Sequence, residues 1–178
     1  CMPLSVIFTH ITLVICAGNP YENTDALPAM TLAALRGSRR IVNTKLLHHA
    51  IDHAPSLIID CANCANPHEI FPYTTMERFA QVYVIVAEAI YRFRDTLLVA
   101  ADRLEQLEAN TLIITTFDRL FTYDDDLELH NITEHAWEII QHLAETYDVL
   151  VGITRKQIAP KEVNTWDIRH GASESLST

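Results

Sequence analysis

The chain has 178 residues, of which 49% are hydrophobic, and it carries a formal charge of −10 with a pI near 5.2. That length and composition suit one globular domain with a core covered on two sides, while the acidic balance disfavours whole-chain attraction to nucleic acid or to an anionic membrane. Four cysteines are too few for a disulfide scaffold, so the expected setting is reducing and cytoplasmic.

The first segment, residues 2–18 (MPLSVIFTHITLVICAG), has the length of a secretory apolar region. It lacks a basic start and is interrupted by His10 and by hydroxyl residues, so a buried strand over 4–15 is the expectation. No stretch approaches the roughly 18 unbroken apolar residues of a membrane span. NPYENTDALP (19–28) is rich in turn formers and reads as a loop. Strand-length apolar runs follow at MTLAAL (30–35), SLIID (56–60), VYVIVAEAI (82–90), TLIITTF (111–117) and VLVGIT (149–154). Several are almost continuously apolar, as in strands buried on both faces.

Helical spacing separates them. KLLHHAID (45–52) reads as a helix. In 95–108 a stripe of Leu97, Leu98, Ala101, Leu104 and Leu107 follows Asp95, which the pattern makes an N-cap. In 132–147, Ile132, Ala136, Ile139, Ile140, Leu143 and Tyr147 form another stripe, with Asn131 and Glu134 as a capping box. Alternating strands and helices predict an α/β three-layer sandwich with a mainly parallel sheet. The predicted domain covers 1–157, and the aperiodic, serine-ended stretch 158–178 reads as a mobile tail.

GSRRIVNT (37–44) has the outline of a phosphate-binding loop, G-x-x-x-x-G-K-[ST], in which backbone N–H groups at a helix start hold phosphate, a lysine neutralises it and a hydroxyl holds magnesium. Gly37 and Thr44 match, whereas Val42 and Asn43 replace the second glycine and the lysine. Downstream, PSLIIDCANCANPHEI, VYVIVAEAIYRFRDTLLVAADRLEQL, TLIITTFDRLF and ETYDVLVGITRKQ resemble, in order, successive strand and helix segments of the RecA/RadA recombinases and their KaiC-like relatives. The resemblance spans roughly residues 29–157 and implies a RecA-like P-loop fold, with ATP and magnesium as the cofactors of an active member.

Within that resemblance the departures fall on the chemistry. Asn43 stands at the Walker A lysine, Thr115 at the Walker B aspartate, and Ala62 where the family places its water-activating glutamate. The implied protein is an inactivated member with no cofactor and no catalytic residues. It would serve as an interaction scaffold or accessory factor in DNA recombination or repair, paired with an active RecA-like paralogue or with itself as a homodimer. The degenerate loop comprises Gly37, Ser38, Arg39, Arg40, Asn43 and Thr44. The alternative is a divergent ATPase using Arg39 or Arg40 in place of the lysine, with Asp118 as a displaced carboxylate.

Other groups have competing readings. Cys61 and Cys64 form a C-x-x-C that is either a redox pair or two small buried residues. His49 and His53 have an i, i+4 metal spacing, against the plainer reading of a histidine-bearing surface helix. TYDDDLELH (122–130) falls where the recombinases present their first DNA loop, and its carboxylates would repel phosphates. Arg155, Lys156, Lys161 and Arg169, with Trp166 among them, fall in the region of the second loop and form a candidate nucleic-acid or partner-binding segment. Tyr73, Phe79, Tyr83, Tyr91 and Phe93 read as packing residues. No Phe-x-x-Ala tether of the recombinase type is apparent.

Overall fold

Continuous apolar strands need cover on both faces, and the computed structural model, which describes residues 32–65, 71, 74–120 and 126–168, supplies it. In chain order the elements are β1 (Leu32–Arg36), α1 (Arg39–Asp52), β2 (Ser56–Asp60), α2 (Met76–Phe79), β3 (Val82–Val86), α3 (Ile90–Leu98), α4 (Ala100–Gln106), β4 (Thr111–Ile114), α5 (Asp126–Leu143), β5 (Asp148–Ile153) and β6 (Thr165–Asp167). The six strands form one all-parallel sheet in the order β3-β2-β4-β5-β1-β6. From β1 the chain crosses β5 and β4 to reach β2 and extends the sheet outward with β3. It then returns to fill β4 and β5, and passes β1 to add β6.

Side-chain alternation divides the core between the two faces. Ala33, Leu35, Ile58, Ile113 and Leu150 point to one side and pack under Val42, Leu46, Leu47 and Ala50 of α1. Leu57, Ile59, Leu112, Ile114, Val149 and Val151 point to the other, beneath Phe93, Leu97, Leu104, Trp137 and Ile140 of α3, α4 and α5. Every residue of β2 and of β4 is buried. Phe117, just past β4, stacks on Phe93 at 5.2 Å and meets Trp137 edge-on at 5.8 Å, which ties α3 to α5 through aromatic contact.

The sequence reading places the strands well and the helix starts poorly. Asp95 is not an N-cap: α3 already begins at Ile90 after Ala89, and the helical stripe breaks at Val99 into α3 and α4. Asn131 is likewise interior, because α5 begins five residues earlier at Asp126. The stretch 82–90 yields a strand only to Val86. The tail assignment also needs correction. Val163 is buried, and β6 pairs with β1 from Ala34↔Thr165 to Arg36↔Asp167, so the domain continues past residue 157 to at least Ile168. The strand expected at 4–15 and the loop at 19–28 lie outside the described residues. Among those described, no helix is long and apolar enough to cross a membrane.

Gly152 sets how closely α1 lies on the sheet. A Cβ there would meet Leu46 Cδ1 at 2.8 Å, the Thr116 backbone nitrogen at 3.0 Å and Val42 Cγ1 at 3.1 Å. Gly152→Ala is therefore expected to lower stability by about 1–3 kcal/mol through overpacking, read as a lower urea midpoint.

Candidate functional site

In a parallel α/β sheet the carboxyl ends of the strands are where ligands gather, and the notable residues of this chain converge there. Between the end of β1 at Arg36 and the start of α1 at Arg39 only Gly37 and Ser38 intervene. The Val42 N–H already donates to the Ser38 carbonyl at 3.0 Å, so Arg39, Arg40, Asn43 and Thr44 all lie on the helix. Gly37 has a local cause: an added Cβ would sit 2.7 Å from the carbonyl oxygen of Ile168, where the chain leaves β6. The Ile168 N–H donates to the Arg36 carbonyl at 2.7 Å, and the Arg36 guanidinium holds the Asp167 carboxylate with two hydrogen bonds.

Asn43, at the position compared with the Walker A lysine, is buried and turned inward. Its Nδ2 donates to Thr116 Oγ1 at 3.0 Å, and its Oδ1 accepts from the Thr116 N–H at 3.0 Å. The amide therefore fastens α1 to the end of β4. Thr115, at the position compared with the Walker B aspartate, uses its whole hydrogen-bonding capacity inside the protein. Its hydroxyl oxygen accepts from the N–H groups of Cys61 (2.8 Å) and Ala62 (3.2 Å), and the hydroxyl donates to Asp60 Oδ1 (3.0 Å).

The loop after β2 wraps the Asp60 carboxylate. Oδ1 accepts from the Ala62 N–H at 3.2 Å, and Oδ2 accepts from the N–H groups of Cys64 and Ala65, each at 2.8 Å. Asn63 closes this loop with φ of 49°, a left-handed conformation that asparagine tolerates. The guanidinium of Arg39 donates to the Ala62 carbonyl, so this cation braces the loop. Arg40 and Thr44 are exposed. Across the site, Asp118 Oδ2 accepts from the N–H (3.0 Å) and the hydroxyl of Thr154, tying the end of β4 to the end of β5. The other Asp118 oxygen is buried and has no hydrogen-bond donor among the described residues.

Cys61 and Cys64 are not joined to each other by a disulfide, and Cys61 is buried. Burial first, then the neighbouring Asp60 and Cys64, pushes the Cys61 thiol well above its usual range, the reverse of what an activated nucleophile needs. His49 and His53 stack with centroids 3.8 Å apart. Burial, helped by His53, lowers His49 to about 4. Among the described residues no group of three or more His, Cys, Asp or Glu side chains gathers as a metal site.

The basic candidates are spread along the exit from β5. Arg155, Lys161 and Trp166 are exposed, Lys156 opens a short 3-10 turn (Lys156–Ile158), Trp166 lies on β6, and Arg169 is outside the described residues. Of the acidic stretch 122–130, residues 126–130 belong to α5. Sequence reasoning did not find Thr116 or Thr154, whose partners lie 73 and 36 residues away. Nor did it find Trp137, although its place beside Ala136 and Ile140 in the α5 stripe is a usable signal.

No protein-family model matches the chain, and no curated protein matches it significantly. The family remains the resemblance carried by the segments quoted above.

Asn43→Ala is expected to cost about 2 kcal/mol in chemical denaturation, because it strands the buried Thr116 N–H. A second test uses pH. Above the ordinary histidine value of 6.5 His49 is neutral folded or unfolded, but between 6.5 and about 4 only the unfolded chain takes up the proton. Stability is therefore expected to fall as the pH drops through that window. His49→Gln should flatten this part of the urea-midpoint profile.

Proposed function

We propose that this chain is a non-catalytic domain of RecA-like P-loop descent that works as an interaction scaffold or accessory factor, with recombination or repair as the setting the resemblance implies. The observation that carries this reading is the Asn43–Thr116 pair. A side chain that should reach a phosphate is instead spent on joining α1 to β4. Three further features support it. Helix α1 starts at Arg39, within the stretch compared with the phosphate loop; Thr115 serves the backbone of the loop after β2; and Arg39 is directed to the Ala62 carbonyl.

A protein partner, whether a RecA-like paralogue or a second copy, fits the edge of the sheet. Among the described residues, strand β3 has a neighbour, β2, on one side only. Its residues Tyr83, Val84 and Val86 are 37%, 45% and 43% exposed, an uncharged edge of the kind that accepts another chain. The net charge of −10 weighs against a nucleic acid as the principal partner, leaving the exposed Arg155, Lys161 and Trp166 as the segment through which one would bind.

Titration with a fluorescent ATP analogue and magnesium is expected to give no saturable binding, and phosphate release should stay at the buffer rate. Micromolar, magnesium-dependent binding with steady turnover, abolished by Arg39→Ala or Arg40→Ala, would establish the divergent ATPase instead.

A further inference from the structure

Strand β3 ends the sheet among the described residues, and its hydrogen bonds to β2 decide which of its peptide groups are left for another strand. The Gln81 carbonyl accepts from the Ser56 N–H at 3.1 Å, and the Ala87 N–H donates to the Asp60 carbonyl at 3.0 Å. A parallel ladder uses alternate residues, so with the register running from Ser56↔Val82 to Asp60↔Val86, it is Gln81, Tyr83, Ile85 and Ala87 that face β2. The N–H and carbonyl groups of Val82, Val84 and Val86 point the other way. Val82 packs with the cluster under α1 and Ile85 with the opposite one, which puts Val84 and Val86 on the α1 face and Tyr83 on the other.

This edge lacks the charges that ordinarily guard an edge strand. From Gln81 to Ala87 there is no Asp, Glu, Lys, Arg or His, whereas β6 at the opposite edge ends on Asp167, paired with Arg36. Trp166 apart, the exposed large hydrophobic side chains among the described residues fall within 71–99, in β3 and the segments before and after it.

We propose that β3 pairs antiparallel with the β3 of a second copy of the chain, about a two-fold axis through Val84 perpendicular to the sheet. In this register Val84 meets its own copy as a hydrogen-bonded pair and Val82 meets the partner's Val86 as another, so every outward N–H and carbonyl of these valines is matched. A centre at Tyr83 would set Val86 against Ala80, whose N–H is already given to the Met76 carbonyl. A centre at Ile85 would set Val82 against the charged Glu88. The side chains agree with the Val84 centre: valine meets valine on the α1 face and Tyr83 meets Ile85 on the other, β-branched and aromatic pairs of the kind that stabilise antiparallel ladders. Each copy carries −10, so contact between two is least unfavourable along an uncharged seam, and a strongly charged partner finds no opposite charge on β3 to recognise. The inference rests on the scaffold reading in taking a protein as the partner, and deepens it by naming that partner as a second copy.

Sedimentation of the full chain at micromolar concentration is expected to give twice the 20.2 kDa of one copy. Val84→Lys places two ammonium groups across the axis and should raise the dimer dissociation constant on the order of a hundredfold, as should Val84→Glu with two carboxylates. Mixing the two variants should restore the dimer, with opposite charges facing across the axis. Circular dichroism and thermal melting establish that each variant folds. Amide exchange of the unmutated chain supplies a reading that needs no variant: the N–H groups of Val82, Val84 and Val86 should be protected at high protein concentration and exchange quickly on dilution. A monomeric unmutated chain would overturn the proposal, as would a dimer that folded Val84→Lys leaves intact, or folded variants that do not pair on mixing. Protection unchanged by dilution would overturn it too, by putting a segment of the same chain, such as residues 4–15, on the edge. Nucleotide titration in parallel separates the two readings: a dimer that binds and turns over ATP keeps the seam and loses the scaffold, and a monomer that binds none does the reverse.

Discussion

The reciprocal hydrogen bonds between Asn43 and Thr116 are the constraint on which the carboxyl end of the sheet is organised. Both groups are buried, so neither can return to water if the other moves, and leaving either alone costs more than the pair contributes when made. The pair fixes the rotation of α1 about its axis. That rotation directs Val42 and Leu46 at Gly152, where only a hydrogen atom fits, and brings the guanidinium of Arg39 over the loop that follows β2.

From that point a connected set of polar contacts runs along the ends of the strands. Thr115 supports the loop that encloses Asp60, and Asp118 grips Thr154 beyond β5. Each contact is made within the protein, between groups at the end of the sheet where ligands gather in parallel α/β folds. Such a network joins the ends of β2, β4 and β5 to one another and to α1.

The strands were legible in the sequence because burial on both faces leaves a plain mark: apart from the polar residues at their ends, SLIID and TLII consist only of Leu and Ile. The junctions were less so. Helix α3 starts after Ala89, which offers no capping side chain, so the eye moves to Asp95, a residue that instead contacts Arg94 on the helix surface. Strand β6 has three exposed residues and no periodicity to show. Its place follows from a partner strand far away in the chain. For the site, the substitutions at Asn43 and Thr115 were visible as departures from a pattern. The partners of those side chains were not, because Thr116 and the loop amides meet them only after the sheet has assembled.

The docking of residues 163–168 has a further consequence. β1, the strand from which the chain turns into α1, is an interior strand only because β6 lies beside it. Remove that cover and five residues of nearly unbroken hydrocarbon, LAALR, would present open peptide groups to solvent, in the manner of a seam waiting to be sewn. The short strand thus acts as a selvedge: it contributes little burial of its own, yet it finishes the β1 side of the sheet, as β3 forms the opposite edge among the described residues.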